Sequence, residues 1–203
     1  MAELDMTNII SPDDNILDVL RNIFNRSGLR AYGDMEVTLS EHMLLSAAAA
    51  ERAGEPPHIV AAALLHDMGH FGTDFRENFN TAPRGSMTNA KIDRRHEEAG
   101  AKMLEPFFGP EVLEPIRLHV QAKRYLSTVE SGYIDTLSPQ SVHTLGLQGG
   151  QMSSKEVTAF KANPYFEAAV AVRRYDDAGS VPGPEGTLDF EHYRPLIKNL
   201  LKE

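Results

Sequence analysis

Apolar positions recur along this chain at helical rather than alternating spacing. Ile16, Leu17, Leu20, Ile23 and Phe24 share one face of a 3.6-residue repeat, and Gly28 ends the run. Ser11-Pro12-Asp13-Asp14 reads as a helix start: a capping hydroxyl, proline at a first helical position, and acids facing the positive dipole end. The same spacing predicts helices over about Thr38–Gly54, Pro57–Gly69, Ala90–Leu104, Pro110–Tyr125, Ser138–Gln148, Ser153–Lys161, Pro164–Asp177 and His192–Lys202. Phe71–Asn89 is polar and broken by Gly and Pro, so a loop is expected there. Ala178–Thr187 reads as a surface linker. No strand-like alternation or internal repeat interrupts this pattern. The expectation is an all-α fold in a single domain over residues 1–203, with linker and last helix over 178–203.

Composition narrows the chemistry. At 203 residues the chain suits one domain. With no cysteine, disulfides, thiolate zinc sites, iron–sulfur clusters and a cysteine nucleophile are excluded, so any metal must be held by nitrogen and oxygen. A net charge of −9 argues against nucleic acid as a partner. No apolar run approaches the ~20 residues of a membrane span. The acidic N-terminus MAELDMTN lacks the basic start and apolar core of a signal peptide, and the expected location is the cytoplasm.

The stretch Leu64-Leu65-His66-Asp67-Met68-Gly69-His70 sets a question. An apolar helix ends in an imidazole, a carboxylate and another imidazole, groups that cost several kcal/mol, roughly 2–7, when buried without partners. Either each is separately hydrogen-bonded or they share a cation. His58 and His192 read as exposed side chains, and His143, on a predicted helix with no acidic neighbour, reads as ordinary too. His42, His66, His96 and His119 lie on four separate predicted helices, with Asp176 on a fifth. Bundles build metal sites in this manner, from inward side chains on facing helices.

The order His42…His66-Asp67…His119…Asp176 resembles the H…HD…H…D pattern of the HD-domain superfamily, mostly metal-dependent phosphohydrolases on a helical bundle. The extra His96, in RRHEEAG, resembles the two-metal members. HVQAKRYL (119–126), LSPQSVHTLGLQGGQMS (137–153) and RRYDD (173–177) are similar to a smaller branch, the mixed-valence diiron oxygenases that cleave 1-hydroxyalkylphosphonates. The resemblance extends from Tyr32 to Asp177 and places the metal-site core at about residues 32–177. It implies two iron ions as a Fe2+/Fe3+ pair. His42, His66, Asp67 and Asp176 would hold one and Asp67, His96 and His119 the other, with Asp67 bridging. O2 and a small phosphonate would be the reactants. His and carboxylate ligands alone suit iron, manganese or zinc.

Helical spacing places donors beside the proposed ligands, and the resemblance implies that residues at such positions hold the phosphonate. Lys123 stands four residues after His119, Arg173 three before Asp176, and His70 four after His66, each about one turn from a proposed ligand. Ser138, Ser141 and Thr144 recur every three residues as neutral donors. Arg124 and Arg174 read as ordinary surface residues. In the resembled aminophosphonate enzymes a Tyr occupies an iron in the absence of substrate, and a Glu three residues later meets the substrate amine. Here Tyr32 precedes His42 by ten residues, but Met35 stands at the Glu position, between Asp34 and Glu36. Met35, Tyr32 and Tyr165 suit a quaternary ammonium, which prefers soft groups and aromatic faces. Asp34 or Glu36 would instead suit a primary amine. The competing functions are an HD phosphohydrolase, in which metals activate water, and a non-catalytic helical binding domain.

Overall fold

In the computed structural model, residues 10–27, 37–73, 91–180 and 189–202 are described. Tyr32, Asp34, Met35 and Glu36 lie outside them. The described elements are α1 (Ile16–Asn22), continued by a π-helical turn (Ile23–Ser27), α2 (Leu39–Arg52), α3 (Pro57–Leu65), α4 (Gly69–Thr73), α5 (His96–Leu104), α6 (Pro110–Val129), α7 (Tyr133–Thr136), α8 (Pro139–Leu147), α9 (Ser154–Lys161), α10 (Phe166–Ala178) and α11 (Phe190–Asn199). Among the described residues there is no strand; one isolated bridge joins Phe108 to Leu201. The all-α expectation holds.

Local chemistry explains most boundaries. Thr38 caps α2 in a reciprocal capping box: its hydroxyl accepts from Glu41 N–H at 3.2 Å, and Glu41 accepts from Thr38 N–H at 2.7 Å. Ser153 and Glu156 repeat the device at α9. Ser138, expected among the anion-site hydroxyls, caps α8 through Ser141 N–H at 3.1 Å. Ser11 does not start α1. Its N–H donates to Asp14 at 2.7 Å, closing a turn before a helix whose N-cap position is Asn15. Nor does α5 begin near Ala90: Arg95 adopts φ 50, ψ 49, a left-handed conformation that no helix continues through, so His96 becomes the first helical residue.

α3 is the centre of the core. Ile59 to Leu65 are all buried, as expected of a helix apolar on every side. α2, α6 and α10 pack around it, α5 packs on α6, and α4 packs on α5. α4 and α5 meet through Gly69 and Gly100. A Cβ on Gly69 would lie 1.8 Å from the carbonyl oxygen of His96, so only glycine permits this approach. Phe24 of the π-turn stacks on Phe190 of α11 at 5.3 Å, fastening the chain's two ends to the same core.

Candidate metal centre

Five helical elements deliver the proposed ligands to one buried spot. His42 sits in the first turn of α2, His66 and Asp67 at the exit of α3, His96 at the start of α5, His119 midway along α6, and Asp176 in the last turn of α10. Four of the six are almost wholly shielded from solvent, and His96 and Asp176 nearly so. α3 ends at Leu65 rather than near Gly69, and this turn answers the question posed by the adjacent His and Asp. Residues one apart on a helix diverge by about 100°; where the helix ends, both side chains reach the same place.

The distances divide the ligands into two groups sharing Asp67. His42 Nε2 and His66 Nε2 are 3.1 Å apart, and Asp67 Oδ2 lies 3.7 Å and 3.5 Å from them. Asp176 Oδ1 completes the group at 3.2 Å and 3.6 Å. On the other side His96 Nε2 and His119 Nε2 are 3.1 Å apart, and Asp67 Oδ1 lies 3.4 Å and 3.9 Å from them. Each carboxylate oxygen of Asp67 faces its own histidine pair.

This arrangement fits metal ions. His66 Nδ1 donates to the Ala63 carbonyl at 2.8 Å and His119 Nδ1 to that of Ile116 at 2.7 Å. Each bond fixes its ring so that, in the neutral form, the Nε2 lone pair points at the centre. Ligands about 2.1 Å from one ion lie ~3.0–3.4 Å from each other in octahedral or tetrahedral geometry. The first group, at 3.1–3.7 Å, is close to that spacing, and the second is slightly looser. Counting Asp67 in each, the first group has four side chains and the second three.

Electrostatics agree. Burial lowers the His119 pKa to about 4, with His66 adding to it, and burial holds His96 well below its ordinary value, with His70 adding to it. Both are therefore neutral, the ligating form. Burial works against protonation of His66 too, but Asp67 and Asp176 outweigh it and bring its pKa up to about 9. Burial alone would raise Asp67 and Asp176, yet His66 and its neighbours hold Asp67 low, and Arg173 with His66 holds Asp176 low.

The expected anion-site residues divide. His70 is buried, stacks on His96 with ring centroids 4.2 Å apart, and brings Nε2 to 3.7 Å from Asp67 Oδ1. Lys123 is only 3% exposed, and its Nζ donates to Thr144 Oγ1 at 3.0 Å. Burial, with Arg173 adding to it, lowers the Lys123 pKa to about 7. Ser141 stands one turn before Thr144 on α8, half-buried, and its Oγ accepts from Ser138 at 3.1 Å. Arg173 is buried, and its Nη1 donates to Asp176 Oδ2 at 2.7 Å. Tyr165 is not brought to the centre. It precedes α10 at the end opposite Asp176, about 16 Å along the axis at 1.5 Å per residue, in the cluster of Leu118, Met152 and Phe160.

Three residues not assigned to the site from the sequence matter here. Arg124, read as surface, donates to the Gly150 carbonyl at 2.9 Å and to Glu156 at 2.7 Å. It ties the LQGGQMS segment to α6, where Met152 N–H also donates to Thr128 Oγ1 at 2.7 Å. The segment turns back through Gly149 and Gly150, both at positive φ. Tyr133 and Asp177 both bond Arg173.

Residues 39–162 match the HD-domain family, a span covering more than half of the chain. The chain is an HD-domain protein. It is 41% identical over 187 residues, 92% of this chain and 91% of the relative, to the 1-hydroxy-2-(trimethylamino)ethylphosphonate dioxygenase (glycine-betaine-forming) of Leisingera caerulea. It is 38% identical over 173 residues, 85% of this chain and 82% of the relative, to the hydroxymethylphosphonate dioxygenase of Gimesia maris. The family to which it belongs is thus the HD-domain branch that holds these phosphonate dioxygenases. The HD match ends before Asp176, so the sixth residue of the cluster in this HD-domain chain comes from α10, outside the matched span. No described helix is long and apolar enough to cross a membrane.

Proposed function

We propose that this chain is a single-domain cytoplasmic dioxygenase that cleaves the C–P bond of 1-hydroxy-2-(trimethylammonio)ethylphosphonate, giving glycine betaine and phosphate. The observation that carries this reading is the pair of histidine couples sharing Asp67, beside a buried Lys–Arg pair, in a chain similar along nearly its whole length to phosphonate dioxygenases. The reaction balances with one O2. A 1-hydroxyphosphonate dianion and O2 give a carboxylate, hydrogen phosphate and a proton, with one oxygen atom added to each product.

The proposed cofactor is a mixed-valence pair of irons, Fe2+/Fe3+, held by His42, His66, Asp67 and Asp176 at one position and by Asp67, His96 and His119 at the other. When bound, the irons supply redox chemistry toward O2 and polarise a chelated substrate. The protein's own groups bind and orient. Lys123, buried and held by Thr144, is the cation placed to meet a phosphonate dianion, and Arg173 beside it, already paired with Asp176 and Asp177, adds its charge to the same wall. Thr144 and Ser141 add hydroxyl donors on the α8 side, and His70 adds a ring nitrogen beside Asp67. Burial of the centre excludes water and strengthens each of these contacts.

For the other end of the substrate, Met35 supports the trimethylated amine: an –NH3+ would give up water hydrogen bonds without a matching carboxylate there. Tyr32 is assigned both the resting-state iron contact and a π face; Asp34 or Glu36 would take over if the primary amine is the true substrate. Loading the protein with iron under argon and measuring phosphate release from a panel of 1-hydroxyphosphonates, with and without O2, tests the reading. Release only with O2, fastest for the trimethylammonio compound, is expected. Release from ordinary phosphate esters without O2 would make the chain a phosphohydrolase, and preference for the primary amine would overturn the role of Met35.

A further inference from the structure

Tyr133 is buried on the short helix α7, and its hydroxyl works in two directions. It accepts from Arg173 Nε at 3.0 Å and donates to Asp177 Oδ2 at 2.5 Å. Arg173 Nη2 donates back to Asp177 Oδ1, so phenol, carboxylate and guanidinium close a ring. From that ring one donor remains directed at the metal centre: Arg173 Nη1, at 2.7 Å from Asp176 Oδ2. The second oxygen of Asp176, Oδ1, is the one that faces His42 and His66.

We infer that Tyr133 and Asp177 are positioning residues for the first metal position: acting through Arg173, they hold Asp176 so that it offers a single oxygen to the cation. The inference rests on the two-metal reading of the site. A free aspartate turns readily about its last torsion, which has broad, roughly two-fold preferences, and presents one or both oxygens to a cation. An arginine alone does not prevent this, because its own long side chain has many rotamers. Here that freedom is removed from two sides. Tyr133 fixes Nε and Asp177 fixes Nη2, and the planar fork then leaves Nη1 one direction. Neither Tyr133 nor Asp177 is within hydrogen-bonding distance of a ligand atom, so their effect on the metal passes through the guanidinium. A single oxygen from Asp176 keeps one further coordination position available at the first metal.

The test uses the full chain, freed of metal and titrated with Co(II), with visible absorption and chelator competition as readouts. Tyr133→Phe and Asp177→Asn are compared with the parent and with Arg174→Ala, which removes the exposed neighbour paired to Glu130. Both ring variants are expected to bind two Co(II), with one of the two affinities lowered by about ten- to a hundred-fold and the other unchanged. The Co(II) spectrum of the weakened position should change, and Asp177→Glu should restore part of the loss. Unchanged affinities and spectra, or an equal fall at both positions, would overturn the inference, since a merely structural network does not single out one position. If Tyr133→Phe does not fold, Asp177→Asn decides by the same readout. A parent that binds fewer than two Co(II) instead removes the two-metal reading itself, an outcome distinct from unchanged variants.

Discussion

Replacing Lys123 by Met should make the metal-free protein more stable and the enzyme worse. Met keeps an unbranched side chain of similar length in the α6–α8 contact and removes the charge. Burial, with Arg173 adding to it, lowers the Lys123 pKa from 10.5 to about 7, which at 1.36 kcal/mol per pH unit corresponds to ~5 kcal/mol of lost proton affinity in the folded state. Part of this is offset by the lost bond to Thr144, worth about 1 kcal/mol; the net gain expected at pH 7 is about 2–4 kcal/mol. The sign follows from proton binding. Below about 7 the lysine is charged in both states, and the folded state bears the full cost of burying it. Between about 7 and 10.5 the unfolded chain binds the extra proton, so the parent's stability rises with pH and the advantage of Lys123→Met shrinks. Chemical denaturation of the metal-free proteins at pH 7 and pH 9 reads both effects. In the iron-loaded enzyme the same substitution removes a charge-assisted contact to the phosphonate of roughly 1.5–3 kcal/mol, about ten- to a hundred-fold in KM, with metal content unchanged. A variant less stable than the parent at pH 7, with KM unaltered, would refute the assignment of Lys123 as a buried cation kept for an anion.

Asp67→Ala should abolish binding at both metal positions, because one carboxylate serves both; two metals per chain with near-normal turnover would contradict the bridge. Gly69→Ala places a Cβ 1.8 Å from the His96 carbonyl; it should cost at least ~2 kcal/mol by thermal unfolding and weaken the His96–His119 position ahead of the other. Apparent metal affinity should rise up to about ten-fold per pH unit between pH 6 and pH 8, since the cation must displace the proton that His66 holds up to about 9 in the metal-free protein; a flat profile in isothermal titration would contradict it. Tyr32→Ala should impair the trimethylammonio substrate more than Tyr32→Phe, which keeps the ring; equal KM values for the two variants would remove Tyr32 from the amine pocket.

The His/Asp cluster was legible because each histidine stood on its own periodic helix; the adjacent His-Asp pair was by itself a weak signal, and the number of histidine-bearing helices carried the reading. Periodicity does not reveal which carboxylate oxygen faces which imidazole; that depends on α3 ending at Leu65 and on the glycine contact between α4 and α5. The start of α5 was misplaced because the left-handed turn at Arg95 leaves no signal when the residue is not glycine. Lys123 and Arg173 stand out by their spacing to the proposed ligands, whereas Tyr165 enters only as an aromatic suited to a quaternary ammonium, with no spacing to place it, and it is at the far end of its helix. Tyr133 and Arg124 were missed because their partners are 40 and 32 residues away in the chain, beyond the reach of helical spacing.

The central claim is that O2, rather than water, supplies the oxygen that replaces the C–P bond. Turnover of 1-hydroxy-2-(trimethylammonio)ethylphosphonate under 18O2 in ordinary water, with mass spectrometry of the products, tests it. One labelled oxygen in the carboxylate and one in the phosphate, with one O2 consumed per phosphate formed, is the expected result. Unlabelled phosphate formed at the same rate under argon would contradict it.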